Sequence, residues 1–385
     1  MYQRRIVTTV CAVVACAMVL SGLASCGGAA TQETIKIGVI ASITGNIPLV
    51  GKSTVDAANM AVQEVNDAGG LEVGGKKYKI QLLTEDDQDK KETAVSVAQK
   101  LINQSGVVAI VGPQASRNAI PAAEVAEVAH VPMISPWSTN PATTANKKYV
   151  FRAAFIDSFQ GRVMARFALE ELGTTKAAVL YDVASEYNRG IAEFFKQVYE
   201  EAGGQVVAFE VYTTGETDFS RQLTTIKNSG AQVIFLPNYY NEVPLQVQQA
   251  RDLGIEAEFI GADGWGGMEA SALPALEGAY YSTHYATDIA SPVAQKFIST
   301  YQSTYGTMPD DVAALTYDAF GMLFEAIKSQ GKSDPESIRN GLAAISRYEG
   351  VTGTMEYKGT GDPIKSAVIL QVKDGKISFF RLAEP

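Results

Sequence analysis

The feature that most constrains the fold of this chain is a repeated alternation of β-branched segments with amphipathic helical segments. Residues 35–40 (IKIGVI) are dense in β-branched side chains and predict a buried strand. The segment that follows predicts a helix, because four apolar residues recur on one face: Val55, Ala58, Val62 and Val65. The cycle repeats, with predicted strands at residues 80–83, 107–111 and 131–134 and predicted helices at residues 92–103 and 118–129. Such alternation predicts parallel sheets covered by helices on both faces.

A second series of the same kind begins near residue 157. Its predicted strands cover residues 177–181, 206–211, 233–236 and 259–261, with helices between them. One of these helices has an apolar face made of Ile191, Phe194, Phe195, Val198 and Ala202. We therefore expect an α/β protein with two similar lobes, each a parallel-type sheet with helices on both faces. Ligands of such sheets bind at the carboxyl ends of the strands.

The first 25 residues have the organisation of a secretory signal. An arginine pair at residues 4–5 precedes an apolar core, and small residues precede Cys26. A membrane-spanning anchor is the alternative, but Ser and Gly at residues 21–22 interrupt the apolar run. Residues 23–26 (LASC) resemble the bacterial lipoprotein signal, in which the cysteine is acylated and becomes the mature N-terminus. We expect residues 1–25 to be removed and Cys26 to carry the lipid.

Composition excludes several classes of function. A formal net charge of −10 and a pI near 4.9 argue against a nucleic-acid-binding protein, which would need a basic surface. The chain has only two histidines, His130 and His284, and three cysteines, two of which lie in the signal. A metal site or a Cys/His nucleophile pair is therefore not expected, and no cofactor is implied.

Four segments share their order and spacing with a known family: residues 112–116 (GPQAS), 135–141 (SPWSTNP), 238–242 (NYYNE) and 261–264 (GADG). In these segments the chain resembles the type I periplasmic binding proteins, in particular the leucine/isoleucine/valine-binding proteins that feed branched-chain amino-acid ABC transporters. Residues 152–161 (RAAFIDSFQG) are similar to the family's first crossing between lobes.

The resemblance implies three hinge crossings, near residues 156, 285 and 361, so that the chain visits each lobe more than once. Lobe 1 would then comprise residues 34–156 and 286–361, and lobe 2 residues 157–285 and 362–385. Residues 26–33 would form a tether between the lipid and the lobes.

The resemblance assigns ligand contacts to eight residues: Ser116, Trp137, Ser138, Thr139, Tyr187, Tyr239, Tyr240 and Asp263. Ser116 and Thr139 would bind a carboxylate together with free N–H groups at a helix start, and Thr139 would also contact the amine. From the residues alone, Ser116 is equally well a helix cap, with Asn118 competing for that role, and Thr139 a turn residue.

Asp263 would bind the ammonium group of the ligand by the same resemblance, although an Asp-Gly turn is what its sequence context alone favours. The tyrosines would line the pocket, or they pack at an interface, and the sequence does not tell which of Tyr239 and Tyr240 faces the cleft. Trp137 stands where the family has a small residue, so it either narrows the pocket or covers the loop. Val50 stands where an aromatic residue is common.

Two classes of function remain. The first is a lipid-anchored binding protein, a monomer, that captures a small amino acid, branched-chain or otherwise neutral and aliphatic, and delivers it to an ABC permease. The second is an exported protein on the same scaffold, either a sensor of amides or carboxylates or a hydrolase of small amides. Neither histidine lies in a Ser-His-Asp context and no Gly-x-Ser-x-Gly motif is present, so we expect no enzyme.

Overall fold

Two sheets form the centre of the fold, which we describe from a computed structural model. The structure describes residues 33–268, 270–289 and 291–385. The predicted signal and Cys26 lie outside these residues. No helix within them is long and apolar enough to cross a membrane.

The first sheet is built by the N-terminal part of the described chain. Its strands are β1 (Thr34–Ala41), β2 (Leu71–Val73), β3 (Lys76–Asp86), β4 (Ala109–Val111), β5 (Met133–Ser135) and β6 (Val150–Arg152). Its helices are α1 (Pro48–Asp67), α2 (Lys91–Lys100) and α3 (Ser116–Ala129). The strand order is β2-β3-β1-β4-β5-β6, and every pair is parallel except the β2–β3 hairpin.

The second sheet begins after α4 (Asp157–Arg166). Its strands and helices alternate as β7 (Lys176–Asp182), α5 (Glu186–Glu201), β8 (Gln205–Tyr212), α6 (Ser220–Ser229), β9 (Val233–Leu236), α7 (Val243–Asp252), β10 (Glu258–Gly261) and β11 (Tyr280–Thr283). These five strands are parallel, in the order β11-β10-β9-β7-β8.

The chain then returns to the helical layer of the first sheet. This segment contains α8 (Pro292–Tyr305), α9 (Asp311–Gln330), α10 (Pro335–Ala344) and a small antiparallel sheet of β12 (Arg347–Gly350), β13 (Gly353–Tyr357) and β14 (Pro363–Ile364). Helix α9 packs against both α1 and α10. The last two strands, β15 (Ala367–Lys373) and β16 (Lys376–Ala383), join β11 as antiparallel edge strands of the second sheet.

Each large sheet is covered on both faces, because neighbouring residues of a strand point to opposite sides. In β1, Val39 packs in a core shared with α1 and α9, whereas Ile40 packs in a second core with α2 and α3. In β7, Val179 packs towards α5 and Leu180 towards α6 and α7. The predicted α/β architecture with helix-covered, parallel-type sheets is therefore confirmed.

Some predicted boundaries differ from the structure. The helix expected from residue 118 begins two residues earlier, at Ser116, and it contains Pro121. The helix expected over residues 92–103 ends as an α-helix at Lys100 and continues as a π-helical turn, Leu101–Ser105. The strand expected at residues 80–83 extends from Lys76 to Asp86, because its first residues pair with β2 and its last residues continue the pairing with β1.

Candidate functional site

A narrow cavity of about 10 Å³ lies where the segments that follow the strands of the two large sheets meet. Its lining residues are Gln114, Ala115, Ser116, Trp137, Ser138, Thr139, Tyr187, Tyr239 and Asp263. The first six follow β4 and β5, with Ser116 as the first residue of α3, and the last three follow β7, β9 and β10. The structure thus brings together seven of the eight predicted contact residues, at the carboxyl ends of the strands, where ligands of such sheets bind.

The loop that carries Gln114 and Ser116 leaves β4 through Gly112. This glycine has φ 98°, and a Cβ built on it would lie 2.1 Å from the carbonyl oxygen of Ile40 in β1. Its N–H donates to Ile134 O at 2.8 Å, and the Ser135 hydroxyl donates to Pro113 O at 2.7 Å. A larger residue at position 112 would displace the loop from the sheet, so the glycine sets the position of this cavity wall.

Ser116 is the first residue of α3 and does not cap it. The N-cap is Ala115, and the amide of Asn118 donates to Asp87 at 3.1 Å, so the capping alternatives for both residues are wrong. The Ser116 hydroxyl lies 2.8 Å from the Ser138 hydroxyl at the cavity wall. Because the first N–H groups of a helix have no intrahelical acceptor, hydroxyls and amides converge here in a way that suits a carboxylate.

The loop after β5 is held from behind by Arg152. Its guanidinium donates to Ser138 O at 2.7 Å and to Asn140 O at 2.9 Å, and it is fully buried. The carbonyl of Thr139 accepts from the N–H of Asp157 at 2.9 Å. The main chain of this loop is therefore fixed, and Thr139 is turned so that it lines the cavity.

Trp137 narrows the cavity rather than covering its loop. The indole N–H donates to Oδ2 of Asp311 at 3.1 Å, and the Thr283 hydroxyl donates to the same oxygen at 3.1 Å. The indole ring lies 5.9 Å from the ring of Tyr239 and is almost fully buried. Burial, helped by the nearby carboxylates Asp310 and Asp263, raises the pKa of Asp311 to about 8.

Asp263 is both a turn residue and a cavity residue. It begins a 3₁₀ turn, Asp263–Trp265, and its carbonyl accepts from Gly266 N at 2.8 Å. Its Oδ1 accepts a hydrogen bond from the Tyr187 hydroxyl at 2.7 Å, and its Oδ2 lies 3.3 Å from Nε2 of His284. Asp263 lines the cavity, and only 1% of the residue is exposed.

The two partners of the Asp263 carboxylate bring no positive charge. Burial lowers the pKa of His284 to about 4, although the hydrogen bond and the charge of Asp263 act in the opposite direction. The His284 ring is stacked on Phe155, with ring centroids 3.7 Å apart. The pKa of Tyr187 is raised well above its usual value, chiefly by burial and then by the charge of Asp263. The two groups that contact Asp263 are therefore neutral at pH 7 and supply no counter-charge.

A second carboxyl group, Asp157, lies beside this site. It is the first residue of α4, and burial raises its pKa to about 8. The hydrogen bond of the Thr139 hydroxyl and the charge of Arg152 oppose this rise in pKa, whereas the charge of Asp263 adds to it.

Sequence reasoning missed Asp157 and His284 as site residues. Asp157 lies in the segment that resembles the first crossing, but only the tertiary contacts show that it and His284 meet Thr139 and Asp263.

The two tyrosines after β9, Tyr239 and Tyr240, make different contacts. Tyr239 lines the cavity, and its ring lies 5.3 Å from that of Tyr187. The Tyr240 hydroxyl instead accepts a hydrogen bond from Leu49 N, at the start of α1, at 3.2 Å. Val50, next to Leu49, is buried but is not part of the cavity lining. The aromatic wall of the cavity is therefore supplied by Tyr187, Tyr239 and Trp137.

Helix and loop residues that belong to the first and second sheets contact each other around the cavity. Besides the bond between Tyr240 and Leu49, the amide of Asn140 donates to Glu186 O at 2.8 Å, and the Arg117 guanidinium lies 5.2 Å from the ring centroid of Tyr239. These contacts close the cleft over the cavity. Within the described residues, no group of three or more His, Cys, Asp or Glu side chains could hold a metal ion.

Comparison with known proteins gives the family of this chain. The profile of the family described as "Periplasmic binding protein" matches residues 34–376, which include every strand and helix around the cavity. The chain belongs to this periplasmic binding protein family. Its cavity between two sheets, at the carboxyl ends of their strands, is where a ligand-binding cleft is expected in such a fold.

Three relatives show how close the likeness is. A leucine-, isoleucine-, valine-, threonine- and alanine-binding protein from Pseudomonas aeruginosa is 32% identical over 350 residues, which cover 90% of this chain and 91% of that protein. The leucine binding protein LivK from Thermotoga maritima has a TM-score of 0.85 and 34% identity, covering 91% of this chain and 99% of the other. LivJ from Streptococcus pneumoniae, a branched-chain amino acid transporter substrate binding protein in complex with isoleucine, has a TM-score of 0.84 and 32% identity, covering 92% and 100%. These periplasmic binding proteins are solute-binding proteins rather than enzymes.

Proposed function

We propose that this protein captures a free, small, neutral α-amino acid between two lobes and delivers it to the permease of an ABC transporter. The observation that carries the proposal is the buried carboxylate of Asp263, which faces a cavity and is held by neutral partners only. A buried charge without a counter-charge is costly, and the ammonium group of an amino acid would supply that counter-charge.

The opposite wall of the cavity suits the carboxylate of the same ligand. The hydroxyls of Ser116 and Thr139 and the amides at the start of α3 offer donors there, while Asp263 stands on the side of the second sheet. Hydrogen bonds to charged groups contribute about 1.5–3 kcal/mol each. Three or four of them, with apolar burial, would give a binding free energy of about −8 kcal/mol, a micromolar dissociation constant.

The ligands named for the three relatives described above support this class of ligand. They are leucine, isoleucine, valine, threonine and alanine, all small and neutral, and one solved relative holds isoleucine. The aromatic wall of Trp137, Tyr187 and Tyr239 leaves little free space in the cavity, so it would disfavour ligands with large side chains. A branched-chain or other aliphatic amino acid is the expectation that the sequence resemblance gives.

Binding would be coupled to closure of the lobes. We place lobe 1 at residues 34–156 and 286–361 and lobe 2 at residues 157–285 and 362–385, with hinges near residues 156, 285 and 361. The ligand touches groups of both sheets only when the cleft is closed, so it would shift the population towards the closed form. Small-angle scattering should show a smaller radius of gyration at saturation, and an unchanged radius would contradict closure.

The protein would act in the cell envelope, as a monomer held to the membrane by lipid on Cys26, with residues 26–33 as a tether. Its periplasmic binding protein family and the lipoprotein-like residues 23–26 support this location. A permease partner is supported by the relatives that are named as components of amino-acid transporters.

A thermal-shift screen against the twenty common amino acids tests the proposal. We expect stabilisation by several small neutral amino acids and none by the corresponding deaminated acids. A turnover assay on small amides serves as the companion measurement, since a hydrolase on the same scaffold is the competing function. Stabilisation by deaminated acids alone, or steady turnover of an amide, would overturn the proposal.

A further inference from the structure

Gln114 is a polar residue of the cavity that the binding of an amino-acid backbone does not use. It lies in the loop after β4, between Pro113 and Ala115, and it is fully buried. Among the described residues, neither its amide nitrogen nor its amide oxygen has a hydrogen-bond partner. Buried side-chain amides are nearly always paired, so a group that both donates and accepts is missing from this place.

The main-chain part of an amino acid, bound with its ammonium directed at Asp263 and Thr139, would satisfy at most the amide nitrogen of Gln114. The ammonium is assigned to Asp263 and the carboxylate to the wall of Ser116 and Thr139. A ligand carboxylate could accept from the amide nitrogen of Gln114, but it offers no proton to the amide oxygen. That oxygen would then remain buried without a donor.

The neighbouring residues offer no hydrogen-bond partner for the Gln114 amide. Ala115 has no polar side-chain atom, and the indole N–H of Trp137 already donates to Asp311 at 3.1 Å. The hydroxyl of Ser116 is assigned to the ligand carboxylate, and neither it nor the Ser138 hydroxyl, 2.8 Å away, forms a hydrogen bond with Gln114. Gln114 is therefore the one polar side chain of the cavity lining that has neither a partner among the described residues nor a task in holding the ends of the ligand.

We infer that Gln114 reads the side chain of the ligand, and that the preferred ligand carries a neutral hydrogen-bonding group, a hydroxyl or a carboxamide, rather than a purely aliphatic side chain. Hydroxyls and carboxamides both donate and accept, as the amide of Gln114 requires. This inference rests on the proposed amino-acid function and departs from the aliphatic expectation only at the side-chain end of the site.

The expected selectivity follows from the cost of burying an unpaired amide. A site built to hydrogen-bond a ligand group rejects the analogue that lacks it much more strongly than an apolar pocket rejects an added hydroxyl. Threonine and valine are the matched probes, because they share their shape and differ in one hydroxyl. We expect threonine to bind at least about tenfold more tightly than valine, which corresponds to about 1.4 kcal/mol.

Calorimetric titration of threonine and valine into the wild-type protein and into Gln114→Leu tests the inference. We expect the preference for threonine in the wild type to fall to about one, or to invert, in Gln114→Leu. Gln114→Met is a second variant of similar length, and circular dichroism verifies that both variants fold. The wild-type ratio alone decides the matter if neither variant folds.

Three outcomes are distinguishable. Equal affinity for threonine and valine in the wild type overturns the inference, because a water molecule would then satisfy Gln114 whatever the ligand. A threonine preference that persists unchanged in a folded Gln114→Leu protein also overturns it, because another residue would then read the hydroxyl. If neither threonine, valine nor any other amino acid binds, the proposed function fails and this inference fails with it.

Discussion

The hydroxyl of Tyr187 donates to Oδ1 of Asp263 at 2.7 Å and at the same time accepts from the N–H of Gly264 at 3.0 Å. One phenol thus orients the carboxylate and satisfies the main chain of the turn that carries it. Both bonds are buried, so the carboxylate is fixed before any ligand arrives.

Tyr187→Phe should therefore weaken both folding and binding. Loss of the hydroxyl leaves a buried N–H without a partner and costs about 1–3 kcal/mol of unfolding free energy. We expect a loss of amino-acid affinity of about tenfold, because the carboxylate is no longer held in place. Tyr212→Phe is the matched control, since its buried hydroxyl donates to Glu242 at 2.7 Å away from the cavity. Urea unfolding and calorimetric titration should show similar losses of stability in the two variants but an affinity loss only for Tyr187→Phe.

Asp157 makes the stability of the protein depend on pH. Its folded pKa is raised to about 8 from 3.8, so between these values the folded protein holds a proton that the unfolded chain releases. The contribution of this group to stability is therefore present at low pH and is lost as pH rises through this window.

Asp157→Asn should be more stable than the wild type at about pH 8.5, and the difference should shrink towards about pH 5. Asp311, whose pKa is raised in the same direction, retains its own pH dependence in the variant. Urea unfolding at both pH values measures the difference, with the exposed Glu256→Gln as control. A wild type and an Asp157→Asn protein with parallel pH profiles would show that this carboxyl is not buried as described.

Trp137 is expected to limit the size of the ligand. Trp137→Ala should cost about 3–5 kcal/mol of stability through the space that it leaves, but it should shift the affinity ranking towards larger amino acids such as leucine and phenylalanine. Phe219→Ala, a buried aromatic change in another core cluster, should lose stability without changing the ranking. If the ranking of Trp137→Ala stays that of the wild type, the indole does not form the wall of the side-chain site.

Cys26 is expected to be acylated after removal of residues 1–25. Cys26→Ser should abolish the lipid attachment and leave the protein either unprocessed or released from the membrane. Membrane fractionation with intact-mass analysis distinguishes these states. An unmodified cysteine in the wild-type protein taken from membranes would contradict the anchor.

Periodicity predicted most of the fold where strands are buried on both faces. The strand expected at residues 233–236 is β9, Val233–Leu236, because all four of its residues are buried and apolar. The pattern was least informative where tertiary contacts decide the local structure. The start of α3 is capped by Ala115, a residue without a capping side chain, and therefore could not be located from the sequence.

The residues of the candidate site could likewise be predicted from the sequence only in part. The family-like segments contained Ser116, Thr139 and Asp263, which the structure brings to one cavity. They also contained Gln114, which was not singled out, because an amide in a loop usually faces water. His284 gave no signal, since its meeting with Asp263 depends on the packing of β11 beside β10.

Calorimetric titration of Asp263→Asn tests the central claim, that a buried carboxylate binds the ammonium of a free amino acid. The change removes the charge and keeps the shape, and the wild type serves as the reference with the same amino acid and with its deaminated analogue. We expect Asp263→Asn to bind the amino acid about a hundredfold more weakly or worse, with little change in melting temperature and no loss of affinity for the deaminated analogue. Equal affinity of both proteins for the amino acid would contradict the claim.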